Sequence, residues 1–290
     1  MLMNSMCKDS QSVLLAKDIE YRWRTIGNGG YVHTEKMKNA NFVGKLKVKS
    51  MITSTMTHDE IWKQFLSCKE RFVPWLKHKM EEWHKIEKRQ LPAWYGGKVF
   101  EWNNRQLNLR VLSIHCRLKG SGYGQAHATF IPVDTHHGTQ YYKLHSVTHA
   151  IYIYTAHCLK RYAERMGYMH NLPQLLAKME ARNPVMLNIY DDPDGKRCVL
   201  AVRDGLFLVE YDPVRKVNIM RTFVSNAMLS ETQRKAHEVV AQLNPYFDKC
   251  FGSMAKDGST ALMHLVLPEV TKSFRAEAQA IYASYWEDKE

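Results

Sequence analysis

Several things that the chain has little of narrow its function first. Cysteine is sparse and scattered: the 6 residues (Cys7, Cys68, Cys116, Cys158, Cys198 and Cys250) never fall close enough to form a CxxC pair. That spacing excludes a zinc ribbon or a dithiol redox motif. In a chain of 290 residues such isolated cysteines read as reduced, mostly buried thiols, the pattern of a cytoplasmic protein. No apolar run approaches the ~20 residues that a membrane-spanning helix needs. The opening stretch returns to charge too soon for a signal peptide. Gly27–Gly30 (GNGG) is too short and too poorly flanked for a phosphate loop, and no dinucleotide loop occurs, so no cofactor is expected. Neither a Ser–His–Asp order nor a paired-carboxylate arrangement stands out. There is no internal repeat and no low-complexity segment.

Cationic side chains, by contrast, are in excess. The 41 Lys and Arg against 29 Asp and Glu give a net charge of +12, which favours a polyanionic partner, nucleic acid first and an anionic membrane surface second. With 45% hydrophobic and 24% charged residues the chain has material for a real core.

The pattern along the chain is α+β. Val13 to Trp23 fits one helix, which the GNGG turn ends. Thr57 followed by Glu60 reads as a capping box opening a helix over 57–90, with Pro74 expected to kink or interrupt it and Pro92 to close it. Its aromatics (Phe65, Phe72, Trp75, Trp83) fall on the apolar side and belong to the core. Its other side, with Lys63, Lys69, Arg71, Lys77, Lys79, Lys85, Lys88 and Arg89, offers a sequence-independent phosphate contact. Strand patterns follow over 97–133, and Leu107 to Ile114 alternates as if one face were buried. His136 and His137 fall in a turn at Asp134–Gly138. Tyr141 to Tyr154 reads as one extended segment with His145, Val147, His149, Ile151 and Ile153 on one face. As a helix it would set His145 and His149 at i, i+4, but without the glutamate of HExxH or a third ligand, so no metal site is assigned.

Ala156 to Tyr168 (AHCLKRYAERMGY) is the stretch with most chemistry. At 3.6 residues per turn Leu159, Tyr162, Ala163, Met166 and Met169 lie on one side, and His157, Arg161, Glu164, Arg165 and Tyr168 on the other. The helix runs on to about Arg182, with Gly167 and Asn171 as candidate breaks. Four strand patterns then alternate with turn chemistry at Asp191–Gly195, Arg203–Gly205 and Asp212–Pro213, which predicts a four-stranded antiparallel meander. Ser230 with Gln233 caps a further helix, and Val270 to Trp286 fits a last one. The expected organisation is an N-terminal α+β region (1–140) serving as a recognition layer, a helix plus meander (141–229) as candidate catalytic domain, and C-terminal helices (230–290) packed on the rest.

The H-x-L-x-R-[YF]-x-E-R helix, followed by an antiparallel meander ending in Thr or Ser, resembles the small toxin domains of the barnase/colicin/RelE-like ribonuclease superfold over about His149 to Ser225. The resemblance implies metal-independent endoribonuclease activity, with the ribose 2′-OH attacking its own phosphate. It also raises the expectation of an inhibitory protein partner. In that chemistry His157 suits acid–base work, Arg161 and Arg165 would grip the phosphate, and Glu164 would act as base or orient an arginine. Thr222 and Ser225 would complete the site from the last strand, with Lys160 and Arg221 binding the nucleic acid. Dependence on the 2′-OH would favour RNA over DNA. Two other readings stand beside it: a non-catalytic nucleic-acid-binding protein centred on residues 63–89, and a metal-dependent hydrolase built on His145, His149 and His157.

Overall fold

A computed structural model describes residues 52–90, 96–105, 109–117, 125–145, 148–169, 171–183, 186–246 and 267–287. The N-terminal helix and the glycine clusters at 27–30 and 120–124 lie outside the described residues. The chain folds around one nine-stranded sheet, β1 (Gly96–Asn104), β2 (Leu109–Arg117), β3 (Gln125–Thr135), β4 (Gly138–Leu144), β5 (Ile151–Tyr154), β6 (Leu187–Asp191), β7 (Arg197–Val202), β8 (Gly205–Asp212) and β9 (Val217–Ser225). The spatial order is β1-β2-β3-β4-β5-β9-β8-β7-β6. Every neighbouring pair is antiparallel except β5 and β9, which run parallel with Ile153 opposite Ile219. Two antiparallel meanders are thus fused edge to edge. The class is α+β, as the sequence predicts, but the sheet runs through residue 140, which falls inside β4. The predicted boundary between a recognition layer and a catalytic domain is therefore not a division of the sheet.

Six α-helices among the described residues cover the sheet. α1 (His58–Leu66) and α2 (Lys69–Gln90) pack on one face of the first meander, where Ile61, Trp62 and Phe72 meet Trp102, Val111, Tyr142 and Ile153. α3 (Ala156–Met166) and α4 (Leu172–Arg182) connect β5 to β6 and lie on the opposite face, across both meanders, where Leu159, Tyr162 and Leu176 meet Ile114, Phe130, Phe207 and Phe223. α5 (Glu231–Ala241) and α6 (Leu267–Glu287) return to the first face, over the second meander, with Ala236, Val240, Ala278 and Tyr282 against Ile189, Ala201 and Leu206. Because successive strand residues point to opposite faces, this arrangement buries both sides of β2: Leu109 and Val111 on one, Leu112 and Ile114 on the other. The single buried face expected of β2 is corrected accordingly. No helix among the described residues is long and apolar enough to cross a membrane.

Local chemistry explains the boundaries. The Thr57–Glu60 and Ser230–Gln233 capping boxes form as predicted. The break in the first helix falls at Ser67–Cys68, ahead of Pro74, which is carried inside α2. Gly167 ends α3 in the left-handed conformation, and Asn171 caps α4. Because the helix stops there, Met169 leaves the predicted apolar stripe and is 99% exposed, while Tyr168 packs towards Tyr162 beneath the Lys178 ammonium. The expected single strand over 141–154 is instead a hairpin: His145 N–H donates to the Ala150 carbonyl, and His149 takes a positive φ of 55°. The His149 carbonyl accepts from His58 Nε2 at 2.6 Å and Trp62 Nε1 at 2.9 Å, anchoring the turn to α1.

A buried polar cluster ties the second meander to α3 and α4. Asp204, in the two-residue β7–β8 turn, accepts from Tyr162 Oη at 2.6 Å, Asn183 Nδ2 at 2.9 Å and Arg182 Nε at 2.9 Å. Asn183 Oδ1 accepts in turn from the Asp204 N–H. These donors outweigh burial and hold the Asp204 carboxyl below its ordinary value, while burial and the neighbouring carboxylate push the Tyr162 phenol up. The next residue, Gly205 (φ +153°), lies so close to the Val224 carbonyl that a Cβ would collide with it. A second buried pair, Lys143 Nζ to Glu180 at 2.7 Å, joins β4 to α4.

Removing Asp204 leaves Arg182 and the Tyr162 hydroxyl without their acceptor. Asp204→Asn should therefore lower the unfolding free energy by about 3–5 kcal/mol and Tyr162→Phe by about 1–2 kcal/mol, both read from urea midpoints. A Tyr162→Phe midpoint equal to wild type would show that the cluster is not coupled to folding.

His145 sets a pH dependence. Burial first, and the Lys143 ammonium second, hold its imidazole down to about 4, and Nδ1 accepts from the Thr148 N–H. The unfolded chain takes up this proton near ~6.5, so between there and about 4 it binds more protons than the native state, and stability falls as pH falls. The His145 share should be on the order of 2 kcal/mol by about pH 5. His237, held low by burial and donating to the Val202 carbonyl, adds to the same trend. Comparing urea midpoints at neutral pH and about pH 5 should show a smaller decline for His145→Asn than for wild type.

Candidate functional site

The six candidate catalytic residues occupy three places. His157, Arg161 and Glu164 are exposed on the outer side of α3. Arg161 Nη1 pairs with Glu164 Oε2 at 3.1 Å, and the exposed Lys160 lies 3.8 Å from the same carboxylate. Arg165 is half-buried near the Cys158 thiol, and its Nη1 is buried without a hydrogen-bond partner among the described residues. Ser225 is buried at the end of β9, opposite Gly205.

Thr222 and Arg221 lie on the far side of the sheet from α3. The neighbours that reach α3 from β9 are Met220 and Phe223, which join Leu159 and Tyr162 in one core. A bulge sets this: Val209 pairs with Met220 and Leu208 with Thr222, leaving Arg221 as the extra residue. Bulges re-aim side chains, and here two successive residues, Arg221 and Thr222, come to line one cavity. The predicted convergence of the α3 stripe with Thr222 therefore does not occur, while Ser225, two residues beyond Phe223 on the same strand face, is buried.

That cavity, of about 590 Å³, gathers two of the predicted site residues, Arg221 and Thr222. Its floor is β6 to β9 and its wall is α5 and α6, with the partly buried Tyr190 and Leu208 on the lining and Tyr282 buried behind Tyr190. Its polar side is built around Glu210. Arg197 sits directly across from Glu210 on β7, and Arg221 Nε donates to Glu210 Oε2 at 2.6 Å. The Arg221 hydrogen bond, then its charge and that of Arg197, hold the Glu210 carboxyl below its ordinary value despite burial. Tyr190 and Tyr282 pair at a ring separation of 5.3 Å, and Gln233 Nε2 donates to Tyr282 Oη at 3.3 Å. Burial and the Asp191 carboxylate push the Cys198 thiol up to about 12, so it is no nucleophile at neutral pH. Sequence reasoning missed Arg197, Glu210, Tyr190 and Gln233. Arg197 and Glu210 were legible only as polar residues within apolar strands, and their pairing needs the β7–β8 register.

The candidate nucleic-acid-binding residues also divide. Lys63, Lys69 and Lys77 are exposed on α1 and α2, whereas the side chains of Lys85, Lys88 and Arg89 lie outside the described residues. For a metal site the outcome is plain. His145 and His149 belong to the β4–β5 turn and His157 to α3, and no three His, Cys, Asp or Glu side chains gather as metal ligands among the described residues. Set beside known proteins, the chain matches no family model, no curated protein and no solved structure.

Proposed function

We propose that the protein binds nucleic acid through the lysine side of α1 and α2 and does not cut it. One observation carries this reading. Lys63, Lys69 and Lys77 are all exposed, and none of their ammonium groups has an ion-pair or hydrogen-bond partner among the described residues. On the same helices Trp62 and Phe72 are buried in the core, with Phe65 and Trp75 packed against them. Aromatics committed inward and unpaired cations facing outward favour contact with phosphates rather than with bases. The net charge of +12 acts in the same direction at longer range.

Against cleavage stands the separation of the acid–base candidates. A 2′-OH attack needs a proton acceptor and donor near one phosphate, but His157 lies on the α3 side of the sheet and Thr222 on the other. The Arg161 and Lys160 charges are already shared with Glu164.

Binding of labelled single-stranded RNA and DNA, followed by anisotropy from ~50 to ~200 mM salt, tests this. The log of the binding constant should fall linearly with log salt. The triple variant Lys63→Gln, Lys69→Gln, Lys77→Gln should bind more weakly, with a slope shallower by about 2 and an unchanged melting temperature. An unchanged slope would remove the lysine face from consideration. RNA incubated with the same preparation in EDTA should stay intact; fragments with 2′,3′-cyclic ends that disappear in His157→Ala would restore the endoribonuclease reading.

A further inference from the structure

We infer that the cavity between the second meander and α5–α6 is a binding site for a nucleoside phosphate, with Arg197 and Arg221 on the phosphate and Tyr190 beside the base. This stands on the cavity alone and does not depend on the lysine face. The volume, about 590 Å³, lies within the range of small-molecule sites.

The arginine geometry is that of a prepared anion site. Glu210 takes only Nε of Arg221, and neither terminal nitrogen of that guanidinium has a partner among the described residues. A guanidinium offers its donors in a planar fork, so the carboxylate fixes the orientation while the other edge stays available. Arg197, across the ladder from Glu210, makes no side-chain hydrogen bond or ion pair among the described residues. Two guanidiniums flank the Glu210 carboxylate, so the cationic donors are concentrated at one end of a lining that Asp192 brings to charge balance. The Thr222 hydroxyl, also without a partner among the described residues, adds a neutral donor on the same lining.

The remainder of the lining selects what carries the anion. Leu208, with Val199 beside it, forms an apolar floor that inorganic phosphate cannot cover, and Tyr190, backed by the buried Tyr282, gives an aromatic wall suited to a flat ring. Asp192, the second carboxylate of the lining, opposes a bare anion but accepts from ribose hydroxyls or a base amino group. A ligand with phosphate, hydroxyls and a heteroaromatic ring answers each of these groups. The same chemistry is presented by a free mononucleotide and by one nucleotide of a strand.

Isothermal titration with AMP, GMP, CMP and UMP, beside adenosine, ribose 5-phosphate, inorganic phosphate and a short single-stranded RNA, tests the assignment. At least one mononucleotide or the RNA should bind below ~1 mM, more tightly than the fragments. Arg197→Met and Arg221→Met should each weaken that binding about tenfold or more, with circular dichroism unchanged. Arg221→Lys should also weaken it, since the charge remains but the fork is lost. A mononucleotide that binds marks a free nucleotide as ligand; RNA binding alone, lost in the arginine variants, marks a strand. Absence of binding by all of them, or binding unmoved by both arginine variants, overturns the inference. The lysine triple variant should leave mononucleotide binding intact, so failure of the lysine face and failure of the cavity read out separately.

Discussion

The fold depends on a single buried carboxylate. Asp204 sits in a two-residue turn, yet it collects Tyr162 from α3, Arg182 and Asn183 from the end of α4, and by its own backbone carbonyl the N–H of Asn226 after β9. These partners come from α3, from the end of α4 and from the residue after β9, so the turn ties three separate parts of the chain together. A buried charge is tolerated when its acceptors are filled, and here an arginine fork, a phenol and an amide fill them. Apolar packing around it, Tyr162 against Phe207 and Phe223, gives the same interface its hydrophobic component.

Fixing α3 in that way decides where its polar stripe can act. The helix lies across the parallel β5–β9 join, with Cys158, Leu159 and Tyr162 buried beneath it. His157, Arg161 and Glu164 are consequently turned away from the sheet, on an exposed face where Lys160 and Arg161 share the Glu164 carboxylate. The second meander, by contrast, keeps a concave face because α5 and α6 rest on β6 and β7 and leave the Glu210 and Arg221 region unfilled. The α3 stripe and the cavity thus lie on opposite faces of one continuous sheet.

Much of the architecture could be read from residues close in sequence. Capping boxes, the Gly167 stop, and the turns at Asp191–Gly195 and Arg203–Gly205 are local signals, and the second meander followed from them. What could not be read was long-range or a matter of one residue. The hairpin inside Tyr141–Tyr154 has β-branched and aromatic residues on both arms and turns through His149, a residue type that rarely signals a positive φ. The parallel join of β5 to β9 links segments some sixty residues apart and leaves no local mark. The β9 bulge shifts the side-chain period by one residue, which moves Thr222 from the expected face to the other and takes the proposed site with it.

The protonation states around the cavity also favour holding a ligand over transforming one. General acid–base catalysis is most effective when a group titrates near the working pH. Glu210 is pulled below its ordinary value by Arg221, and Cys198 is raised to about 12. At neutral pH the first remains an anion and the second a thiol, so neither exchanges a proton readily. The lining described contains no histidine to take that part. Fixed charges that do not titrate in this range are well suited to orienting a guanidinium towards a phosphate. The same feature that weakens Glu210 as a base, its tight bond to Arg221, is what makes the arginine a rigid donor.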